Sequence, residues 1–216
     1  MEMDKEYERK CYELAYLIFP DVDETVDDLE IRYPERNLPK DAKVVRIGPS
    51  PTGMMHTGTL FQAMINKKLA SQSGGKFFVR VEDTDQKREV EGAIDEIMAG
   101  LEHFDLMPDE GVIKKDKEIG DYGPYTQSKR REIYRICAKH LIEIGRAYPC
   151  FCTSEMLQKS HDAQVANKIV PGYYGVYAKC RNISIDESIE RVKKGEKFII
   201  RFRSNGSHMR KISFID

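Results

Sequence analysis

The pattern of apolar and polar positions changes most sharply across residues 44–60. A β-branched run at 44–47 predicts a short strand, and the glycines and prolines that follow it predict a turn. Apolar residues then recur at helical spacing between Leu60 and Leu69. The pattern therefore predicts a strand that runs through a tight turn into a helix near residues 58–72.

A second apolar run near residues 77–82 follows a Gly-Gly turn and predicts a second strand. Two strands joined by a helix form a βαβ unit, whose right-handed crossover places both strand ends at the same edge of a parallel sheet. We therefore expect Arg46, Ser50 and Glu82 to lie close together. Nucleotides and small substrates bind at this edge of parallel α/β sheets.

Helical spacing also predicts helices near residues 7–18, 90–106, 130–144 and 185–194, and a β run predicts a strand at 197–202. The simplest interpretation of the first helix is an arm that either packs on the core or is loosely tethered to it. One face of the helix at 130–144 is basic, which indicates either a solvated face or contact with phosphates. The helix at 90–106 is expected to bury its apolar stripe, formed by Val90, Ile94, Ile97, Met98, Leu101 and Phe104.

Charged residues make up 33% of the 216 residues and nearly cancel to a formal net charge of −1, so no overall positive field indicates nucleic acid. A nucleic-acid partner would therefore need a local basic face. There is no bilayer-length apolar run and no signal peptide, which predicts a cytoplasmic protein without a membrane partner. Five cysteines in such a chain argue against a disulfide framework.

The turn after the first strand carries His56, Thr57, Gly58 and Thr59 where the helix should begin. A helix start offers unpaired N–H groups and a positive dipole end, which suit a phosphate group. Gly58 allows a ligand to approach the backbone closely, and His56 and Thr59 can add hydrogen-bond donors. An ordinary turn with an N-cap Thr is the alternative.

Three sequence motifs resemble those of one enzyme family. The segments PSPTG at 49–53 and HTGT at 56–59 resemble the class I aminoacyl-tRNA synthetase signature, and their flanks resemble bacterial-type glutamyl-tRNA synthetases. That signature is usually His-Ile-Gly-His or His-Val-Gly-Thr, so the second position is more polar here. RVEDTD at 80–85 resembles the family's Arg-Ile-Glu-Asp-Thr-Asp, and GPYTQS at 123–128 resembles its Gly-Pro-Tyr-x-Gln-Ser.

The resemblance implies an α/β fold of the Rossmann-like HUP type, with a parallel sheet that has helices on both faces and is incomplete here. It implies an N-terminal helical extension and linker at 1–40 and the first half of the catalytic domain at 41–129. It also implies an inserted α+β domain at 130–216, incomplete here, that binds the tRNA acceptor stem.

The activity implied by the resemblance is glutamate activation with ATP and Mg²⁺, followed by transfer of the glutamyl group to tRNA(Glu). No side chain needs to act as a nucleophile, because the substrate carboxylate attacks the α-phosphate. The resemblance assigns His56, Gly58 and Thr59 to catalysis and ATP binding. It assigns glutamate to four residues at the strand ends: Arg46, Gly48, Ser50 and Glu82.

Two thiols two residues apart, Cys150 and Cys152, precede a third at Cys180. The resemblance implies a structural zinc at these residues, since some family members bind one with a Cys-x-Cys pair, a later Cys and a fourth ligand. Asn182 stands where some members have His, and Tyr177 is one residue closer to Cys180 than in the members that use Tyr. Three buried thiols without metal are the alternative.

The motifs cover only part of the family's length, because the loop of the Lys-Met-Ser-Lys-Ser type and the anticodon-binding region are absent. We therefore expect either a fragment or a short relative, monomeric, with little or no aminoacylation on its own. A related enzyme that attaches glutamate to a modified tRNA base, glutamyl-queuosine synthetase, is one alternative. A non-catalytic nucleotide- or tRNA-binding module is another.

Overall fold

The computed structural model describes residues 4–53, 55–85, 87–204 and 213. The chain forms two compact units, one of them Asp27–Tyr134 and the other made of Met1–Val26 together with Arg135–Asp216. Among the described residues, no helix has the length and apolar character needed to cross a membrane.

Seven α-helices and six strands lie in the described residues. The helices are α1 Lys5–Ile18, α2 Val26–Arg32, α3 Thr57–Ser73, α4 Ala93–His103, α5 Arg131–Glu143, α6 Ser154–Ala166 and α7 Ile185–Lys193. The strands are β1 Val44–Ile47, β2 Lys76–Val79, β3 Glu110–Lys114, β4 Lys117–Ile119, β5 Ala147–Cys150 and β6 Ile199–Phe202.

The unit Asp27–Tyr134 contains a mostly parallel four-stranded sheet in the order β1-β2-β3-β4. The pairs β1–β2 and β2–β3 are parallel, and β3–β4 is antiparallel. The predicted βαβ unit is present as β1, α3 and β2. Its pairing continues past β2, since the Arg80 N–H donates to the Ile47 carbonyl at 3.1 Å and the Glu82 N–H to the Pro49 carbonyl at 2.9 Å.

Helices α3 and α4 pack with β1 and β2 in one hydrophobic core. Its buried residues are Ile47, Ala63, Ala70, Phe77, Val79, Ile97, Met98 and Leu101. The expected stripe of α4 is correct in its middle and wrong at its ends, because Val90 and Phe104 are 49% and 56% exposed. Both flank a helix that begins at Ala93 and ends at His103, so neither shares its buried face.

The second unit has a two-stranded antiparallel sheet, β5–β6, in which Tyr148 is paired with Arg201 and Cys150 with Ile199. The sequence did not predict β5 or α6. Helix α1 packs on α7 in this unit, with Cys11 and Leu14 buried on its inner face.

Candidate functional site

The predicted cluster at the strand ends forms around one carboxylate. Glu82 Oε1 lies 3.1 Å from Nη1 of Arg46 and 2.9 Å from Nη2 of Arg80. Arg46 lies on β1, whereas Arg80 and Glu82 follow β2. Arg80 is the member that the sequence analysis missed. Its signal was present, because residues two apart in an extended segment point to the same side.

Gly48 allows the ion pair between Arg46 and Glu82 to lie against the backbone of the turn. A Cβ atom at this position would be 2.4 Å from Nη1 of Arg46 and 2.6 Å from Oε1 of Glu82. Gly48 is not among the described glycines with positive φ, so close approach rather than backbone conformation requires glycine here.

Residues of the turn between β1 and α3 line a hollow of about 240 Å³. Four predicted residues line it, namely Gly48, Ser50, His56 and Thr59, over apolar side chains that include Ile97. Arg46, Glu82 and Gly58 are not among its lining residues. The structure therefore brings the predicted residues other than Gly58 together in two adjoining groups, which meet at Gly48, and Gly58 lies in neither group.

The beginning of α3 is open to a ligand. His56 is the N-cap residue and its side chain makes no capping hydrogen bond, and the first turn contains no acidic side chain. A Cβ at Gly58 would meet no heavy atom of the described residues within 4 Å. The Thr59 N–H already donates to the His56 carbonyl at 2.9 Å, so the N–H groups before it and the positive dipole end can receive an anion.

The carboxylates of Asp83 and Glu118 position the segment GPYTQS by hydrogen bonds. Asp83 accepts hydrogen bonds from the backbone N–H of Ser128, at 2.8 Å, and from its hydroxyl. Glu118 accepts from the backbone N–H groups of Tyr125 and Thr126 at 2.9 and 3.0 Å. The Asp83 contacts join GPYTQS to the segment that carries Glu82, and the Glu118 contacts join it to β4.

In the other unit, the three predicted thiols converge. The sulfur atoms of Cys150, Cys152 and Cys180 all lie within 4.8 Å of one another, and those of Cys152 and Cys180 are 3.6 Å apart. Tetrahedral zinc with Zn–S bonds of about 2.3 Å separates its sulfur ligands by about 3.8 Å. The cysteines are free rather than joined in disulfides, so the cluster could hold a zinc ion.

Tyr173 completes this cluster and was missed by the sequence analysis. Its hydroxyl oxygen lies 3.1 Å from the sulfur of Cys150 and 3.5 Å from that of Cys152, and it accepts a hydrogen bond from the Cys180 N–H at 3.1 Å. Among the described residues, neither Tyr177 nor Asn182 forms a hydrogen bond with the three thiols. Tyr173 lies seven residues before Cys180, a spacing that differs from the tyrosine pattern of the family, so the sequence did not identify it as a partner of the thiols.

The thiols sit in unequal environments. Burial by itself would raise the pKa of Cys150, but hydrogen bonds from the Tyr173 hydroxyl and from Arg201 lower it to about 7. Burial and the neighbouring sulfurs raise the pKa of Cys152 to about 11. The Arg201 guanidinium also lies 3.8 Å from the centroid of the Tyr173 ring. A cation is therefore present beside the Cys150 thiol.

Comparison with known proteins gives this arrangement its context. Residues 43–214 match the family model described as tRNA synthetases class I (E and Q), catalytic domain. The chain belongs to this family. Its mixed α/β fold with a mostly parallel four-stranded sheet is consistent with the class I Rossmann-like catalytic fold.

Curated relatives of this class I synthetase chain are glutamate–tRNA ligases. The protein from Clostridium beijerinckii is 50% identical over 203 residues, which are 94% of this chain and 37% of the relative. The protein from Acetivibrio thermocellus is 47% identical over 195 residues, which are 90% of this chain and 36% of the relative. The chain thus spans about a third of the length of these relatives.

A solved structure with a similar fold is that of a glutamate tRNA ligase from Elizabethkingia meningosepticum in complex with its amino acid. It has a TM-score of 0.65 and 32% sequence identity, and the match covers 76% of this chain and 32% of that one. These comparisons identify the family to which the chain belongs. They do not assign roles to individual residues.

Proposed function

We propose that this chain supplies the glutamate-binding and ATP-binding part of a glutamate–tRNA ligase. The observation that carries the proposal is the placement of Glu82 between Arg46 and Arg80, beside a hollow walled by the turn before α3. In the proposed reaction, the α-carboxylate of glutamate attacks the α-phosphate of ATP and pyrophosphate leaves. The glutamyl group of the adenylate then passes to the terminal adenosine of tRNA(Glu).

The ion-pair cluster is the proposed glutamate site. Arg46 grips the side-chain carboxylate with its guanidinium fork, and Glu82 receives the α-ammonium group. Gly48 and Ser50 form the wall against which the amino acid lies. Glutamine has nearly the same shape as glutamate but no side-chain charge, so a charge partner discriminates against it where an apolar pocket would not.

The start of α3 is the proposed ATP site. Its free N–H groups, with His56 and Thr59, bind phosphate oxygens, and Gly58 gives the nucleotide close access to the backbone. ATP arrives as its Mg²⁺ complex. Catalysis in this scheme comes from positioning the two substrates and from stabilising charge that develops on phosphate oxygens.

We further propose the finer architecture that the sequence motifs implied. Residues 41–129 form the first half of a HUP-type catalytic domain with helices on both faces of its sheet, residues 130–216 contribute to acceptor-stem binding, and residues 1–40 are an extension. The four-stranded sheet and the match over residues 43–214 support this division.

We also propose a structural zinc at Cys150, Cys152 and Cys180, with the Tyr173 oxygen in the fourth position. The fit of the donor set supports it, since three thiols and a phenol oxygen surround one point and thiolates favour zinc. When bound, the ion would hold β5 to the segment before α7. Metal analysis of protein purified without chelator should find zinc. Its complete absence would contradict this proposal.

The glutamate site is tested by NMR titration of the 216-residue chain with L-glutamate and, separately, L-glutamine. Glutamate should shift the signals of Arg46 and Glu82, and glutamine should shift them far less. An Arg46→Met variant should lose the glutamate response. Equal responses to the two amino acids would contradict the assigned role of the guanidinium.

Activity is tested by glutamate-dependent exchange of pyrophosphate into ATP. We expect little or no exchange by these 216 residues, because the chain spans about a third of its relatives. Robust turnover would show that the described site is sufficient by itself.

A further inference from the structure

Helix α1 lies outside the part of the chain that matches the family model, which begins at residue 43. It nevertheless has a buried face in the unit that holds the thiols, where Cys11, Leu14 and Ala15 are 1%, 2% and 0% exposed. A loosely tethered arm would not bury such a face. Docking of α1 through this buried face therefore stabilises the unit that holds the thiols.

Two ion pairs align α1 along α7. Lys10 Nζ lies 3.0 Å from Oδ2 of Asp186 in the first turn of α7, and Lys193 Nζ in its last turn lies 2.9 Å from Oε1 of Glu13. Ser188, in the middle of α7, is buried and small. Exposed ion pairs contribute only about 0.2–1 kcal/mol each, so the apolar face provides most of the docking energy and the pairs set the register.

A hydrogen bond and an ion pair connect the chain after α1 to α5 within the same unit. Lys139 Nζ donates to the carbonyl of Val22 at 2.6 Å, and Arg135 pairs with Asp21. The Phe19 ring also lies 5.8 Å from the Arg135 guanidinium carbon. The helix is thus held at its end as well as along its face.

The docked helix reaches the third thiol of the cluster. Tyr7, Cys11 and Leu14 wall a small cavity of about 20 Å³ whose other walls include Cys180 and Ile183. Helix α7 begins at Ile185, five residues after Cys180. Cys180 therefore shares a cavity lining with α1, and its sulfur lies 3.6 Å from that of Cys152.

We propose that docking of α1 and binding of zinc by the thiol cluster are thermodynamically coupled, with Leu14 as a positioning residue for Cys180. This inference rests on the zinc site proposed above. Cys150 is the last residue of β5 and Cys152 follows it by two residues, whereas Cys180 lies in the segment between α6 and α7, outside any α-helix or strand. When α1 holds that segment, the ordering of Cys180 no longer opposes metal binding. Coupling is reciprocal, so zinc also stabilises α1 against undocking.

The first test compares zinc affinities by competition with a coloured chelator. Leu14→Asp places a charge in the buried face, and Tyr16→Asp places the same charge on the exposed side of the same helix, where Tyr16 is 63% exposed. We expect Leu14→Asp to bind zinc at least about tenfold more weakly, within the range for residues that support metal ligands, and Tyr16→Asp to bind as the unchanged protein does. Equal affinities in all three proteins would overturn the coupling.

The second test needs no change in α1, so it remains decisive if Leu14→Asp does not fold. Hydrogen exchange of the α1 amides is followed with and without zinc in the unchanged chain and in Cys152→Ser. Zinc should slow exchange in α1 of the unchanged chain and have no effect in Cys152→Ser. Slowing confined to β5 and the Cys180 segment would overturn the coupling while leaving the zinc site intact. If the unchanged chain binds no zinc, the zinc site itself fails, and the coupling fails with it.

Discussion

Gly48→Ala separates binding from stability at the proposed glutamate site. The new methyl group would lie 2.4 Å from Nη1 of Arg46 and 2.6 Å from Oε1 of Glu82. Carbon atoms prefer non-bonded separations of about 3.5 Å or more, so both side-chain ends must move by about 1 Å. They can move, since the side chains of Arg46 and Glu82 are 41% and 31% exposed.

We expect Gly48→Ala to weaken glutamate binding strongly and to change the free energy of unfolding little. A displacement of about 1 Å in a positioned group can lower function about 100-fold, which corresponds to about 2.7 kcal/mol. Stability should change little or increase, because replacing glycine where no positive φ is needed gains about 0.4–1 kcal/mol from the unfolded state. The expected result is therefore a protein that folds normally and binds glutamate poorly.

The assay pairs an NMR titration with L-glutamate and urea unfolding of the same variant. Gly58→Ala is the matched comparison, because its methyl group meets no described heavy atom within 4 Å and lies at the proposed ATP site. It should keep the glutamate affinity of the unchanged protein. Unaltered glutamate binding by Gly48→Ala, with the ion pair displaced, would refute the assignment of Arg46 and Glu82 to the amino acid.

Gly58→Ala should weaken ATP binding about tenfold, measured by calorimetric titration, because its methyl group occupies space through which a phosphate approaches the helix start. Arg80→Met should weaken glutamate binding several-fold in the NMR titration, because Glu82 then pairs with Arg46 alone and competes with the substrate for it. Burial and a hydrogen bond to Glu110 raise the pKa of Tyr125 to about 12, above the ordinary value of about 10. Its contribution to stability is therefore complete below pH 10 and disappears as the pH rises through 12. The unfolding free energy of Tyr125→Phe should fall less than that of the unchanged protein over this interval, by up to about 2.7 kcal/mol.

Periodicity predicted α1, α3 and α4, although the apolar residues Met64, Ile65 and Leu69 of α3 are 49%, 42% and 43% exposed and that helix buries Ala63 and Ala70 instead. The βαβ unit and α1 follow from runs of apolar residues, and the observed bounds agree to within a few residues. Helix α6 was missed because its apolar face is weak, and its best-buried residue is the polar Gln164, which bonds to Gly172. Strands β3 and β5 were missed because short strands gain their stability from neighbours that are distant in the chain.

The candidate site also combines features that follow from local sequence with features that depend on residues distant in the chain. The convergence of Arg46 and Glu82 follows from crossover handedness, so the sequence was sufficient to predict it. The meeting of Tyr173 with the thiols depends on the path of an irregular segment, and no periodic rule describes that path. Arg80 lay inside a recognised motif, two residues before Glu82, so the spacing of an extended segment was sufficient to predict that the two side chains share a side.

Charge balance gives a reason for two arginines around one carboxylate. Arg46, Arg80 and Glu82 together carry a net charge of +1 when all three are ionised. Glutamate at neutral pH has one ammonium and two carboxylates and carries −1, so its binding neutralises the cluster, whereas neutral glutamine leaves the excess charge uncompensated. With Arg46 as the only cation, Glu82 would already balance it and the site would have no preference between the two amino acids from net charge. In the proposed glutamate site, the second arginine would therefore give the cluster a net-charge preference for an acidic ligand.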